Sequence, residues 1–106
     1  MNLVWYKNNF IPVFDQIIEC KDGYVGLMYD KPSWTYYLYL DKNNELKPKM
    51  QMGAMIDEMI LKLHKKSDVC IEVLCNEDDG RMVPFLEFNT ETEKFTNTYK
   101  VRKDLN

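Results

Sequence analysis

Turn-forming residues recur at short, nearly even intervals through the first half of this chain, and they leave room only for short extended elements joined by tight reversals. Asn8-Asn9, Lys21-Asp22-Gly23, Asp30-Lys31-Pro32-Ser33 and the polar stretch 41–45 separate segments rich in aromatic and β-branched side chains. That is the pattern of antiparallel strands connected by hairpin turns. It predicts four strands, at 4–7, 11–20, 24–29 and 34–40, with Pro12 marking an edge or a break at the start of the second.

Beyond residue 48 the period changes. Met52, Met55, Ile56, Met59, Ile60 and Leu63 follow the i, i+3, i+4, i+7, i+8, i+11 spacing of one helical stripe, which predicts an amphipathic helix over 49–66. Lys65, Lys66 and His64 suit its negative C-terminal end. Gly53 is a local cost inside it, and the methionines Met50, Met52, Met55 and Met59 read as adaptable core filler. After the helix, 69–74, 82–88 and 94–102 read as a three-stranded meander within 68–102, and 103–106 as a frayed end. A chain of 106 residues with 45% hydrophobic content is expected to be one domain, able to bury a core without metal or disulfide. The predicted fold class is α+β: a mainly antiparallel sheet of six or seven strands in the order ββββαβββ, packed on one helix. Its aromatic β-rich half covers 1–48.

Catalytic and metal chemistry find little support. The single histidine, His64, sits beside Lys65 and Lys66 at the predicted helix end, whereas a ribonuclease-like scheme usually wants a second base or acid positioned with it. Cys70 and Cys75 are separated by an odd number of residues, so a regular strand sends their thiols to opposite faces, unlike a zinc site. Asp78-Asp79 falls in a predicted turn, where solvated carboxylates are ordinary. The four glycines are scattered rather than gathered into a phosphate-binding loop. No metal, no cofactor and no enzymatic activity are therefore expected. Three cysteines, an odd number, suit reduced thiols and a cytoplasmic setting. No apolar run approaches the roughly 18 residues of a membrane span, and the first residues lack the pattern of a secretion signal.

The distribution of charge and of aromatic rings says more. The net charge is −3, but residues 68–93 contain Asp68, Glu72, Glu77, Asp78, Asp79, Glu87, Glu91 and Glu93 against Arg81 alone. Acidic turns of this kind steer basic partners. Ten of the fourteen aromatic residues lie at or before Tyr39. Along 34–40 the side chains alternate, Trp34, Tyr36, Leu38 and Leu40 to one face and Thr35, Tyr37 and Tyr39 to the other. One helix covers one face of a small sheet, which leaves Tyr37 and Tyr39 as candidate interface anchors. Together with Glu77, Asp78, Asp79, Glu91 and Glu93 they form the candidate partner-binding set.

In size and charge pattern the chain is similar to bacterial immunity proteins that neutralise nuclease toxins, and to phage-encoded anti-CRISPR inhibitors. The resemblance implies a small cytoplasmic inhibitor whose acidic loops occupy the cationic site of a basic partner, a nuclease toxin or a nucleic-acid-binding effector. A single-stranded nucleic-acid-binding module and a small His64-dependent nuclease are the alternatives of another class. Direct nucleic-acid binding lacks a lysine- and arginine-rich track alongside the aromatic residues, and has only Lys100, Arg102 and Lys103 as a footing. A homodimer formed through a sheet edge remains open.

Overall fold

In the computed structural model, which describes residues 3–6, 8–53, 59–77 and 79–98, the fold is all-β. Ten strands run β1 (Leu3–Tyr6), β2 (Asn9–Pro12), β3 (Gln16–Cys20), β4 (Gly23–Asp30), β5 (Thr35–Lys42), β6 (Glu45–Gly53), β7 (Leu61–Ser67), β8 (Cys70–Asn76), β9 (Met82–Asn89) and β10 (Lys94–Asn97). They make three antiparallel sheets: the hairpin β1-β2, the meander β3-β4-β5-β6 and the meander β10-β9-β8-β7. No helix occurs among the described residues, so the α+β expectation is overturned. The predicted helix 49–66 is the end of β6 followed, after residues outside the description, by β7.

The physical reason lies in which apolar residues are buried. Met59, Leu61 and Leu63 are buried at 7%, 1% and 5% exposure, whereas Ile60 is 52% exposed. That is a period of two. The helical stripe had included Ile60 and omitted Leu61. Met50 and Met52, on β6, pack against the same core from the other sheet, so the apparent 3.6 period arose from two strands read as one element. The polar stretch 41–45 joins two strands rather than a strand and a helix. Asn43 and Asn44 both take positive φ, 56° and 62°, and Lys42 pairs directly with Glu45, the geometry of a two-residue hairpin whose twist matches its strands. The predicted second strand, 11–20, is divided at Asp15. Its amide donates to Leu27 O and its carboxylate accepts from the Tyr29 amide at 2.7 Å, which turns the chain from β2 into β3.

The two four-stranded sheets face each other across one core. Val25 and Leu27 of β4, Tyr36, Leu38 and Leu40 of β5, Leu61 and Leu63 of β7, Ile71 and Val73 of β8, and Phe85 and Phe88 of β9 fill it, a two-layer packing of inward-facing residues. Phe85 and Phe88 share the inner face despite their odd separation because the β8–β9 register shifts between Val73 and Leu74. A bulge of this kind reverses the alternation. Pro48 stands in the edge strand β6 where the β5–β6 register also shifts, a position that tolerates a residue without an amide proton.

Along one side of the sandwich β3 lies beside β7 without a ladder. Gln16 closes the gap, donating from Nε2 to Leu61 O at 3.0 Å and accepting from the Leu63 amide at 2.7 Å. Lys21 N donates to Asp68 O nearby. The Tyr36 hydroxyl donates to Met59 O at 2.9 Å from inside the core.

Candidate functional site

The predicted partner-binding residues fall in three separate places. Glu77 and Asp79 lie in the β8–β9 turn, where Asp79 Oδ2 pairs with Arg81 Nε at 2.7 Å; Asp78 lies outside the described residues. Glu91 and Glu93 lie in the β9–β10 turn, at the opposite end of β9. Glu93 is drawn back onto the first sheet by Lys49 at 2.5 Å and Lys42 at 3.9 Å, and the Lys49 hydrogen bond holds its carboxyl below the usual range. Tyr37 and Tyr39 occupy the outer face of β5, half-buried, with the Phe14 ring packed 5.6 Å from that of Tyr39. Lys100, Arg102 and Lys103 lie outside the described residues.

Much of the acidic run is neutralised within the fold. Besides the pairs just given, Lys65 meets Asp68 at 3.2 Å and Lys66 meets Glu87 at 3.2 Å. His64 Nδ1 lies 3.0 Å from Glu72 Oε1, so a carboxylate that sequence spacing could not reveal does stand beside the histidine. The pair lies on an open strand surface, with His64 60% exposed. Cys70 and Cys75 sit on opposite faces of β8: Cys75 packs on the core, while the Cys70 thiol donates to Glu87 at 3.0 Å. Burial, more than this carboxylate, pushes the Cys70 thiol up to about 11.

The surface that stands out is the N-terminal hairpin, which sequence reading placed in the sheet. Leu3 pairs with Pro12 and Trp5 with Phe10, so these four side chains share one face. Leu3 and Trp5 are each 58% exposed and Phe10 68%, with the Trp5 and Phe10 rings in edge contact at 4.9 Å. The other face holds Ile11, which is buried, and Tyr6, whose ring meets Tyr24 edge-on at 5.4 Å and whose hydroxyl donates to Glu19 at 2.9 Å. A two-stranded hairpin has one face to bury and one left over. The exposure of Trp5 and Phe10 was legible only once the hairpin was known to stand apart as its own sheet.

Beneath the hairpin, at the end of the first sheet, lies a cavity of about 550 Å³. Tyr6, Phe10 and Ile11 wall it from the hairpin and Tyr24 and Asp41 from the sheet; Lys21, Asp22, Asn43 and Asn44 line it from two turns. Tyr24 and Asp41 are cross-strand partners on the outer face. Next to this pair, position 23 takes only glycine: a Cβ there would stand 1.7 Å from Asp41 O. Gly26 makes similar room for Phe14, whose ring would lie 2.8 Å from a Cβ, and Phe14 flanks Tyr24 at 6.0 Å.

Two groups in this cavity are electrostatically incomplete. The Asp41 carboxyl is raised above its ordinary value by burial alone, and no described residue gives it a hydrogen bond or a counter-charge. The Tyr24 hydroxyl is buried with no hydrogen-bond partner among the described residues. Burial first, then Asp41 and Tyr6, pushes it up to about 12. Among the described residues no group of three or more His, Cys, Asp or Glu is placed to hold a metal ion, and no helix is long and apolar enough to cross a membrane. No family model matches the chain, no curated protein matches it, and no solved structure matches it.

Proposed function

We propose that the protein is a binding module that docks on a basic, nucleic-acid-handling protein and blocks it. The observation that carries this reading is the outer face of the β1-β2 hairpin, where Leu3, Trp5 and Phe10 stand together, each more than half exposed. Large rings held by cross-strand pairing lose little entropy on contact, and such residues supply most of the binding energy in protein interfaces. The basic character of the partner rests on the charge beside the hairpin. Glu19, Asp22 and Asp41 adjoin it on its inner side against Lys21 alone among the described residues, and acidic groups next to an apolar patch favour a cationic surface. Because Glu93 and Asp79 are already paired, the acidic turns contribute long-range attraction at most, and the anchor moves from Tyr37 and Tyr39 to Trp5 and Phe10.

The test compares the tagged protein with a Trp5→Ala, Phe10→Ala double variant in capture from its own source, washed at about 0.15 M and then about 1 M salt. The reading expects a basic nuclease or nucleic-acid-binding protein to be retained by the first and lost by the second. It fails if both retain the same proteins, or if nucleic acid alone is retained. Sedimentation of the two proteins checks the remaining occupant: a dimer that the double substitution dissociates would assign the face to self-association.

A further inference from the structure

We propose that the cavity between the β1-β2 hairpin and the first sheet is a receptor for an organic cation, an alkylammonium or guanidinium head, with the Asp41 carboxylate as counter-charge and the rings of Tyr6 and Tyr24 as its walls. Its volume, about 550 Å³, lies within the range of small-ligand sites. Four kinds of ligand can be weighed against its lining. An anion would meet Asp22 and Asp41 with, among the described residues, only Lys21 to offset them. An apolar molecule would leave the desolvated Asp41 carboxylate and the buried Tyr24 hydroxyl unpaired, which costs free energy for each. A metal ion lacks a set of ligating side chains among the described residues.

An organic cation answers each feature at once. Its charge supplies what Asp41 lacks, its N–H groups donate to the carboxylate and to the Tyr24 oxygen, and its alkyl part and charge both suit aromatic walls, through dispersion and through attraction to the ring faces. Asn43 and Asn44, held in the left-handed region at the turn, add carboxamide oxygens at the rim as further acceptors. The inference shares Asp22 and Asp41 with the docking reading above but does not rest on it, since a free amine carries the same head as a lysine or arginine side chain.

Nuclear magnetic resonance on the whole chain tests it. The probes are butylammonium, butylguanidinium, the neutral near-isostere pentan-1-ol, and a capped Gly-Lys-Gly peptide. The expected result is saturable shifts of the Gly23, Asn43 and Asn44 amides with each cation, at affinities at least about tenfold above that for pentan-1-ol, and a loss of at least about tenfold in Asp41→Asn. A second measurement needs no variant. Among the described residues the ionisable groups that line the site with Asp41 are Asp22, Lys21, Cys20, Tyr6 and Tyr24, and the 13Cγ resonance of Asp41 reports its own titration. Saturating butylammonium should move that midpoint to lower pH, because a bound cation favours the ionised carboxyl. Tighter binding of the peptide than of butylammonium would name a protein side chain as the natural source, and the reverse a free amine. Equal response to pentan-1-ol, shifts confined to other parts of the chain, or an unmoved Asp41 midpoint would overturn the proposal.

Discussion

Tyr24 carries a hydroxyl into a place where none of the described residues answers it, and buried polar groups left unpaired are rare in native proteins. In the free protein Tyr24→Phe is expected to raise stability by about 1 kcal/mol, read from denaturant midpoints, since it removes an unsatisfied polar atom and keeps the ring. Asp41 carries the same message in charge. Its folded-state carboxyl binds a proton more readily than the unfolded one, so ionisation at neutral pH works against the fold, and this penalty fades as the pH falls to the ordinary value of 3.8. Asp41→Asn should therefore be more stable than the parent at pH 7, with the difference shrinking toward pH 3.8. Cys70, its thiol pushed up to about 11, should react with iodoacetamide at about pH 8 roughly 100-fold more slowly than an ordinary thiol, because only the thiolate attacks. None of these three properties was legible in the sequence. Each depends on a neighbour brought in by tertiary packing: the hairpin over Tyr24 and Asp41, and Glu87 against Cys70.

At the scale of elements, the hairpin turns were written plainly and the helix was not there. Asn43 and Asn44 carry the same turn chemistry as Asn8-Asn9, yet the competing methionine spacing of 52–63 outweighed it. Two strands meeting across a connection can imitate a helical period when each brings apolar residues to a shared core. The substitution pair that separates the two patterns is Ile60→Asp and Leu61→Asp. Ile60 is 52% exposed and Leu61 1%, so the first should change stability by less than about 0.5 kcal/mol and the second should unfold the protein, checked by circular dichroism and urea titration. The helical stripe, which puts Ile60 on the buried face and leaves Leu61 off it, would reverse the two outcomes. Gln16 belongs to the same scale, because its amide alone bonds across from β3 to two backbone groups of β7. Gln16→Leu is expected to cost about 1–3 kcal/mol by leaving the Leu61 carbonyl and the Leu63 amide without that partner.

Over the whole molecule, charge that is segregated along the chain is interleaved in space. The acidic run that dominated the sequence reading folds against lysines drawn from β5, β6 and β7, so the pattern of charge along the chain overstated the charge a partner would feel. Glu87, held low by its bonds from Cys70 and Lys66, and Glu93, held low by Lys49, stabilise the fold above the ordinary glutamate value of 4.5. That stabilisation is lost as the pH falls through their depressed folded-state values. Thermal unfolding followed from pH 7 downward should accordingly show the midpoint dropping below pH 4.5, and dropping more steeply in Asp41→Asn, which lacks the opposing gain.

The arrangement of the strands as two successive meanders also has a consequence for how the chain is made. Every strand pairs with its neighbour in sequence, so the sheet of β3 to β6 has all its backbone partners once Gly53 has left the ribosome. Its inner face, with Val25, Leu27, Leu38 and Leu40 buried in the finished protein, must wait for Leu61 through Phe88 to be synthesised. At ordinary elongation rates of about 5–20 residues per second that interval is on the order of 2–7 s. For those seconds the nascent chain displays half of a finished core to its surroundings, a period in which a chaperone, or another copy emerging from the same messenger, competes with the second meander for the same surface.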